Sequence, residues 1–336
     1  MAELQDRIDI NVEELEENLG EAKLHEFIKA SEANFVAAVD EIVDEVLSDS
    51  EKRVIFISGP TSSGKTTFTM HLSDNLKQRG RQAHFISLDD YYVIRDLRFD
   101  RDGRPDFETI DALDVDRAAD DISRILKGEK VCTPYFDFNI RKSLEKDPSE
   151  AIQLESDGIL VVEGLHGLSS RFTSSLNRAS YAKVFIMPYG NVYADNKLFD
   201  SNDIRLLRRI VRDYRHRNAH ALATIDYWPL IKKSEEKYYD EYLANADYHI
   251  NSFLSYESLI IAPLAKHDIK EALEQFAAKR IVPSVFMSNS NTNKAFANLS
   301  DALKQANDLL EKLDWIPVVN PKFVPDDSIL NEFISK

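Results

Sequence analysis

The chain has 336 residues, 43% of them hydrophobic, so it can bury a sizeable core as two domains or as one large domain with appendages. Its formal charge of −16 argues against broad binding to nucleic acid or to an anionic membrane surface. The single cysteine, Cys132, excludes an internal disulfide framework and a cysteine-based zinc site. No signal-peptide pattern and no apolar run of membrane-spanning length is present, so we expect a cytoplasmic protein.

Residues 1–50 are acidic, and their apolar residues recur at intervals of three and four, as in an amphipathic helix. The apolar positions are Phe35, Val36, Val39, Ile42, Val43, Val46 and Leu47. Such a stripe usually packs on its own domain, and a helix that binds a partner is the alternative. The sequence therefore predicts a helical extension over residues 1–50.

Residues 59–66 read Gly-Pro-Thr-Ser-Ser-Gly-Lys-Thr, between the apolar run Val54–Ile57 and a predicted helix. The two glycines allow consecutive N–H groups to turn inward around a phosphate at a helix N-terminus. The lysine then supplies a charge to the phosphates, and the following hydroxyl reaches a Mg²⁺ ion. A chance match in a connector is the alternative, but the order of strand, loop and helix favours a P-loop. We expect the phosphates of a nucleotide to contact Gly59, Thr61, Ser62, Ser63, Gly64, Lys65, Thr66 and Thr67.

Strand and helix patterns alternate from residue 51 to residue 265, which predicts an α/β doubly wound parallel sheet. A strand over 82–88 ends at Asp89, and a buried strand over 159–163 ends at Glu163, the pattern of a Walker B acid. Both acids fall at the carboxyl edge of the sheet, where the P-loop also lies. Further strands are predicted at 181–187 and 247–251, a short strand or hairpin at 131–138, and a helical extension over 266–336.

Residues 205–217 predict a helix with one cationic face, made by Arg205, Arg208, Arg209, Arg212 and His216, and an opposite apolar face. Four arginines on one stripe repel one another unless acids or an anion neutralise them. One interpretation is a solvated face paired with acids elsewhere in the chain. We favour the other, in which the arginines close over a transferring phosphoryl group.

Three classes of P-loop protein differ in the motifs that they require elsewhere in the sequence. A switch GTPase requires a guanine-reading Asn-Lys-x-Asp tetrapeptide, which the chain lacks, and no extended motor or transporter signature is present. A small-molecule kinase requires a phosphate cradle, Mg²⁺ ligands, a carboxylate near the phosphates, an acceptor pocket and an arginine lid. The sequence offers a candidate for each of these parts.

The chain resembles the uridine kinase branch of the uridine kinase and phosphoribulokinase family over residues 51–255, and we do not expect its acidic N-terminus to be the TGS-type domain that precedes the kinase in a longer bacterial subgroup. The matching blocks are the P-loop and residues 87–92, 106–114, 134–138, 162–168, 205–213 and 246–247, and residues 324–334 resemble the tail of that subgroup. The resemblance implies ATP-dependent phosphorylation of a nucleoside 5′-hydroxyl, with uridine or cytidine as acceptor and Mg²⁺ as cofactor.

The resemblance also assigns roles to residues of this chain. Asp89 becomes the general base, a role that a carboxylate at a strand tip can perform, although an acid in a turn is more often a cap. Lys65, Arg209 and Arg212 act on the phosphates, while Thr66 and Glu163 hold the Mg²⁺. The acceptor side is formed by Tyr92, Glu108, Phe136 and Arg141.

This acceptor side departs from the family pattern. Phe136 stands where the pyrimidine kinases have Tyr, Arg141 where they have a base-reading His, and Glu108 where they have Asp; Ala219 and Tyr227 replace an Arg and a Gln. Loss of hydrogen-bonding groups changes which acceptor is held, because a buried polar group left unpaired is costly. Another nucleoside, a sugar phosphate, pantothenate or a polyol therefore remains an alternative acceptor. A regulatory ATP-binding module and a homo-oligomer also stay open.

Overall fold

A computed structural model describes residues 7–93, 99–137, 142–288 and 290–334. Its strands are β1 (Ile8–Asn11), β2 (Val54–Ser58), β3 (Ala83–Ser87), β4 (Pro134–Asp137), β5 (Lys142–Glu145), β6 (Ile159–Glu163), β7 (Tyr181–Met187), β8 (Gly190–Tyr193), β9 (Lys197–Phe199) and β10 (Tyr248–Asn251). Its α-helices are α1 (Val12–Glu17), α2 (Glu21–Ser48), α3 (Lys65–Gln78), α4 (Val115–Leu126), α5 (Ser170–Thr173), α6 (Ser201–His216), α7 (Ala221–Glu235), α8 (Tyr239–Asn245), α9 (Ser258–Ala277), α10 (Leu299–Leu313) and α11 (Asn331–Ile334).

The central sheet has five strands in the order β10-β7-β2-β6-β3, and every neighbouring pair runs parallel. All residues of β2, β6 and β7 are buried, as parallel strands are when helices cover both faces of a sheet. This architecture confirms the predicted α/β doubly wound fold. The register pairs Ile57 and Ser87 with Glu163 on either side, so the ends of β2, β3 and β6 meet at one edge.

Two smaller sheets lie outside this framework. β4 and β5 form an antiparallel hairpin, as the aromatic run at 131–138 predicted, although residue 138 lies outside the described part of the chain. The N-terminal extension, predicted as helical, begins with a strand, since β1 pairs in parallel with β8, Ile8 opposite Gly190. A four-residue strand gives no readable periodicity, and its partner lies far away in the sequence.

The long helix α2 packs on the chain's own core. Its buried side chains join one hydrophobic cluster with those of α3, α9 and α10, and they are Leu24, Ile28, Phe35, Ala38, Val39, Ile42, Val43 and Val46. Phe35 meets Phe68 of α3 edge to face, with ring centres 6.1 Å apart. Within the described residues, no helix is both long and apolar enough to cross a bilayer.

The packing of α2 can be tested with Phe35→Ala, which removes a side chain that is only 4% exposed. We expect the free energy of unfolding to fall by about 3 to 5 kcal/mol, because the ring leaves a cavity against α3. The neighbouring variant Val36→Ala changes a side chain that is 42% exposed and should change stability by less than about 0.5 kcal/mol. Denaturant unfolding measures both, and equal effects would contradict this packing.

Candidate active site

The loop between β2 and α3 is the predicted P-loop, and its backbone requires glycine at two positions. Gly64 adopts a φ of +87°, which favours glycine, and a Cβ atom at Gly59 would lie 2.0 Å from the carbonyl oxygen of Ile186. Lys65 begins α3, and its Nζ donates hydrogen bonds of 2.9 Å to the carbonyl oxygen of Gly59 and 3.1 Å to that of Pro60. The lysine ammonium therefore lies against the loop, beside the N-terminus of a 14-residue helix.

The chemistry of the loop fits an anion. Ser62 Oγ and Ser63 Oγ are buried and have no hydrogen-bond partner among the residues that the structure describes. Buried hydroxyls without partners are costly, and a phosphate could accept hydrogen bonds from them. The hydroxyl of Thr66 is exposed at the first turn of α3. The residues predicted to contact phosphate thus lie together at one helix N-terminus.

The outer side of the loop is held by a buried ion pair. Arg205 Nε donates to the carbonyl oxygen of Thr61 at 2.9 Å, and the N–H of Thr61 donates to Glu235 Oε1 at 2.7 Å. Arg205 also donates to Glu235 Oε1 at 2.7 Å, and neither side chain is more than 6% exposed. The arginine, the carboxylate and one loop residue therefore form a closed set of hydrogen bonds.

A second buried pair holds the next residue of the loop. Arg208 is fully buried; it donates to Glu257 Oε1 at 2.9 Å, to the carbonyl oxygen of Ser62 at 3.3 Å and to that of Ser252 at 2.7 Å. The structure here differs from the expected row of cations presented to a phosphate. Arg205 and Arg208 instead donate to carbonyl groups at the back of the loop. Two buried carboxylates, Glu235 and Glu257, neutralise their charges.

Two further arginines of α6, Arg209 and Arg212, bind Asp213, and Arg209 also contacts the loop. Arg209 Nη1 donates to Thr61 Oγ1 at 2.7 Å and its Nε to Asp213 Oδ2 at 3.0 Å, while Arg212 Nη2 donates to Asp213 Oδ1 at 3.0 Å. Burial alone would raise the pKa of Asp213, but Arg209, Arg212 and Arg217 outweigh it and lower that pKa to about 2. One ionised carboxylate thus orients a cluster of guanidinium groups.

Two acids meet at the ends of neighbouring strands. Glu163 is buried at the end of β6, where its Oε1 accepts a 2.7 Å hydrogen bond from Ser87 Oγ. Burial and the charge of Asp89 raise the pKa of Glu163 to about 7, against the effect of Lys65. Burial also raises the pKa of Asp89, and Lys65 opposes this rise. These mutual effects place Asp89, Glu163 and the P-loop lysine within electrostatic reach of one another.

Aromatic rings line the neighbouring space. Tyr92 packs against Phe107 and Phe136, with ring centres 5.8 and 5.5 Å away, and Phe136 is 1% exposed. Burial raises the pKa of Glu108 to about 7, although Arg209 opposes the rise. The guanidinium carbon of Arg209 lies 5.6 Å from the ring centre of Tyr227. The structure thus groups Tyr92, Glu108, Phe136 and Tyr227, whereas Arg141 lies outside the described residues.

His166 holds the backbone of this group at Glu108. It has no role in the sequence prediction, although it lies in the matching block 162–168. Its Nε2 donates to the carbonyl oxygen of Glu108 at 3.1 Å, and its Nδ1 accepts from the Tyr242 hydroxyl at 3.0 Å. Burial lowers the pKa of His166 to about 4, so the ring is neutral at physiological pH. Glu235 and Glu257 were also missed, since nothing local links them to the loop they hold.

The site fits Mg²⁺ as a partner of bound phosphates. Within the described ranges, no group of three or more His, Cys, Asp or Glu side chains could hold a metal by itself. Mg²⁺ in phosphoryl-transfer sites usually takes one or two protein oxygens together with waters and phosphate oxygens. Thr66, in the first turn of α3, and Glu163, at the end of β6, are a donor set of that kind.

Comparisons with known proteins identify the family of the chain. The model of the phosphoribulokinase/uridine kinase family matches residues 54–256, more than half of the chain. A structure described as a possible uridine kinase from Bacillus stearothermophilus is 19% identical, with 64% of this chain and 97% of that chain covered at a TM-score of 0.42. A D-glycerate 3-kinase from Cryptococcus neoformans var. grubii is 11% identical, with coverages of 83% and 87% and a TM-score of 0.31. No curated protein matches the chain.

The raised pKa of Glu108 predicts how stability depends on pH. The folded protein binds a proton at Glu108 more tightly than the unfolded chain does, so this contribution is complete below about pH 4.5 and is lost as the pH rises through about 7. We expect Glu108→Gln to reduce the loss of stability between pH 5 and pH 8 by about 2 kcal/mol. Denaturant unfolding across this range measures the difference. Glu155→Gln, at an exposed position, is the control and should follow the wild type.

Proposed function

The chain belongs to the phosphoribulokinase/uridine kinase family, and on this premise we propose that it transfers the γ-phosphate of ATP to a hydroxyl of a nucleoside-like acceptor, the 5′-hydroxyl of uridine or cytidine. One observation carries the proposal: the ends of β3 and β6, where Asp89 follows and Glu163 lies, meet beside the P-loop at one edge of the sheet. That edge also holds the aromatic group around Glu108. The proposed compartment is the cytoplasm.

In the proposed reaction, Asp89 orients the acceptor hydroxyl and takes its proton as the oxygen bonds to the γ-phosphorus. The bond between that phosphorus and the bridging oxygen to the β-phosphate breaks, and ADP leaves with the electron pair. Burial strengthens Asp89 as a base, since it raises the pKa of the carboxyl. Lys65 and the N–H groups of the loop hold the phosphates throughout.

Two arginines stabilise the negative charge of the transferring group. Arg209 is fixed between Thr61 Oγ1 and Asp213, and Arg212 is fixed on Asp213 as well. Side chains oriented before the reaction need no reorganisation when charge develops on the phosphoryl oxygens. Thr66 and Glu163 would hold Mg²⁺, which supplies charge neutralisation at the phosphate oxygens when bound.

The acceptor side supports a ligand that carries both hydroxyls and a flat ring. The carboxyl of Glu108 can accept two hydrogen bonds, which suits the neighbouring hydroxyls of a ribose. The partly buried ring of Tyr92, backed by the buried ring of Phe136, is the aromatic surface proposed for stacking on a base. Phe136 lacks the hydroxyl that the family pattern has at this position, so a second candidate acceptor is a polyol or a sugar acid. The Cryptococcus structure is described as a kinase of such an acid, D-glycerate.

The base assignment is tested with Asp89→Asn, which keeps the shape of the side chain and removes its basicity. We expect kcat with the best acceptor to fall by about 10² to 10⁴, while ATP still binds. Asp116→Asn, at an exposed position of α4, removes the same charge and should leave kcat unchanged. Steady-state ADP release and direct ATP binding are the measurements. Full turnover of Asp89→Asn would refute the assignment.

The acceptor is tested with a panel of uridine, cytidine, D-glycerate, pantothenate and simple polyols, read as ADP release and product mass. We expect uridine to exceed 2′-deoxyuridine about tenfold or more in kcat/KM, because the deoxy compound leaves Glu108 partly unpaired. Glu108→Gln should reduce this preference. A higher kcat/KM for D-glycerate or a polyol would replace the nucleoside and keep the kinase. Tight ATP binding without any acceptor-stimulated turnover would favour a regulatory ATP-binding module.

A further inference from the structure

The segment 328–334 lies against the phosphate loop (residues 59–66) and α6. Ile329, Leu330 and Phe333 are fully buried, and Ile329 Cδ1 lies 2.9 Å from the position that a Cβ of Gly64 would occupy. The guanidinium carbon of Arg208 lies 5.1 Å from the centre of the Phe333 ring. Apolar burial therefore anchors the segment on the phosphate loop and on α6.

Glu332 projects from this anchored segment onto the first turn of α3. Its Oε2 accepts from the N–H and from the Oγ1 of Thr67, each at 3.4 Å. Thr67 is the third residue of α3, so its N–H has no acceptor within the helix, and the positive end of the helix dipole favours an anion there. Burial is the main cause of the raised pKa of Glu163 and of the lowered pKa of Arg212, and the charge of Glu332 makes a small upward contribution to each.

We propose that Glu332 is a competing anion that lowers the affinity of the site for nucleotide. The inference rests on the proposed ATP site, in which the donors at the first turn of α3 bind the phosphate next to the nucleoside. A phosphate and a carboxylate repel each other and cannot share the donors of Thr67. The Glu332 side chain must therefore turn away when nucleotide binds, while Ile329 and Phe333 keep the segment in place.

The experiment compares wild type with Glu332→Gln and Glu332→Ala, and uses Asp326→Asn as the control. Asp326 is exposed on the same stretch of chain, and its substitution changes the net charge by the same amount. Dissociation constants for ATP and for inorganic tripolyphosphate are measured by titration calorimetry without acceptor. We expect both Glu332 variants to bind both ligands about three- to tenfold more tightly, and Asp326→Asn to match the wild type.

Tripolyphosphate separates competition for phosphate donors from recognition of the nucleoside. Weaker ATP binding by Glu332→Gln with unchanged tripolyphosphate binding would overturn the inference, since Glu332 would then contact the base or ribose. Unchanged or weaker binding of both ligands would overturn it as well. These results would leave the proposed kinase intact if the wild type phosphorylates an acceptor. A wild type that binds neither ligand would overturn both proposals.

Discussion

The structure depends on a requirement of the phosphate loop: the carbonyl groups of Thr61 and Ser62 and the N–H of Thr61 point into the protein, where they need buried partners. A buried carbonyl without a donor is costly. Arg205 and Arg208 supply donors to the carbonyls of Thr61 and Ser62, and Glu235 and Glu257 neutralise the arginines. The loop is therefore held from outside by two buried ion pairs, and removal of any partner would leave an uncompensated charge.

Four arginines of α6 divide into two pairs with different contacts: Arg205 with Arg208, and Arg209 with Arg212. Arg205 and Arg208 fix α6 to the back of the loop. The position of α6 in turn sets where Arg209 lies relative to Thr61 and where Arg212 lies relative to Asp213. Their guanidinium groups are then oriented by Asp213, whose lowered pKa keeps it ionised. A single helix, α6, thus connects the loop to the guanidinium groups of Arg209 and Arg212. A shift of α6 would change the shape of the loop and the position of these groups together.

The sequence predicted those parts that depend on local pattern. Alternating strands and helices gave the parallel sheet, and the positions of Asp89 and Glu163 at strand ends followed from the rule that such ends meet at one edge. Helical periodicity placed the arginines of α6 on one face, but it could not identify what neutralises them, since Glu235 and Glu257 are distant in sequence. Strand β1 escaped prediction because its register is set by β8, not by its own four residues.

The acids of the site share one physical constraint, which is burial beside fixed cations. Asp89, Glu163 and Glu108 all have raised pKa values, and burial is the largest cause for each. A raised pKa makes a carboxylate a stronger proton acceptor, yet it must remain ionised to act as a base. Lys65, Arg217 and Arg212 oppose the rise at Asp89 and so favour its ionised form. The cations proposed to hold phosphate therefore also favour the ionised form of the proposed base, Asp89.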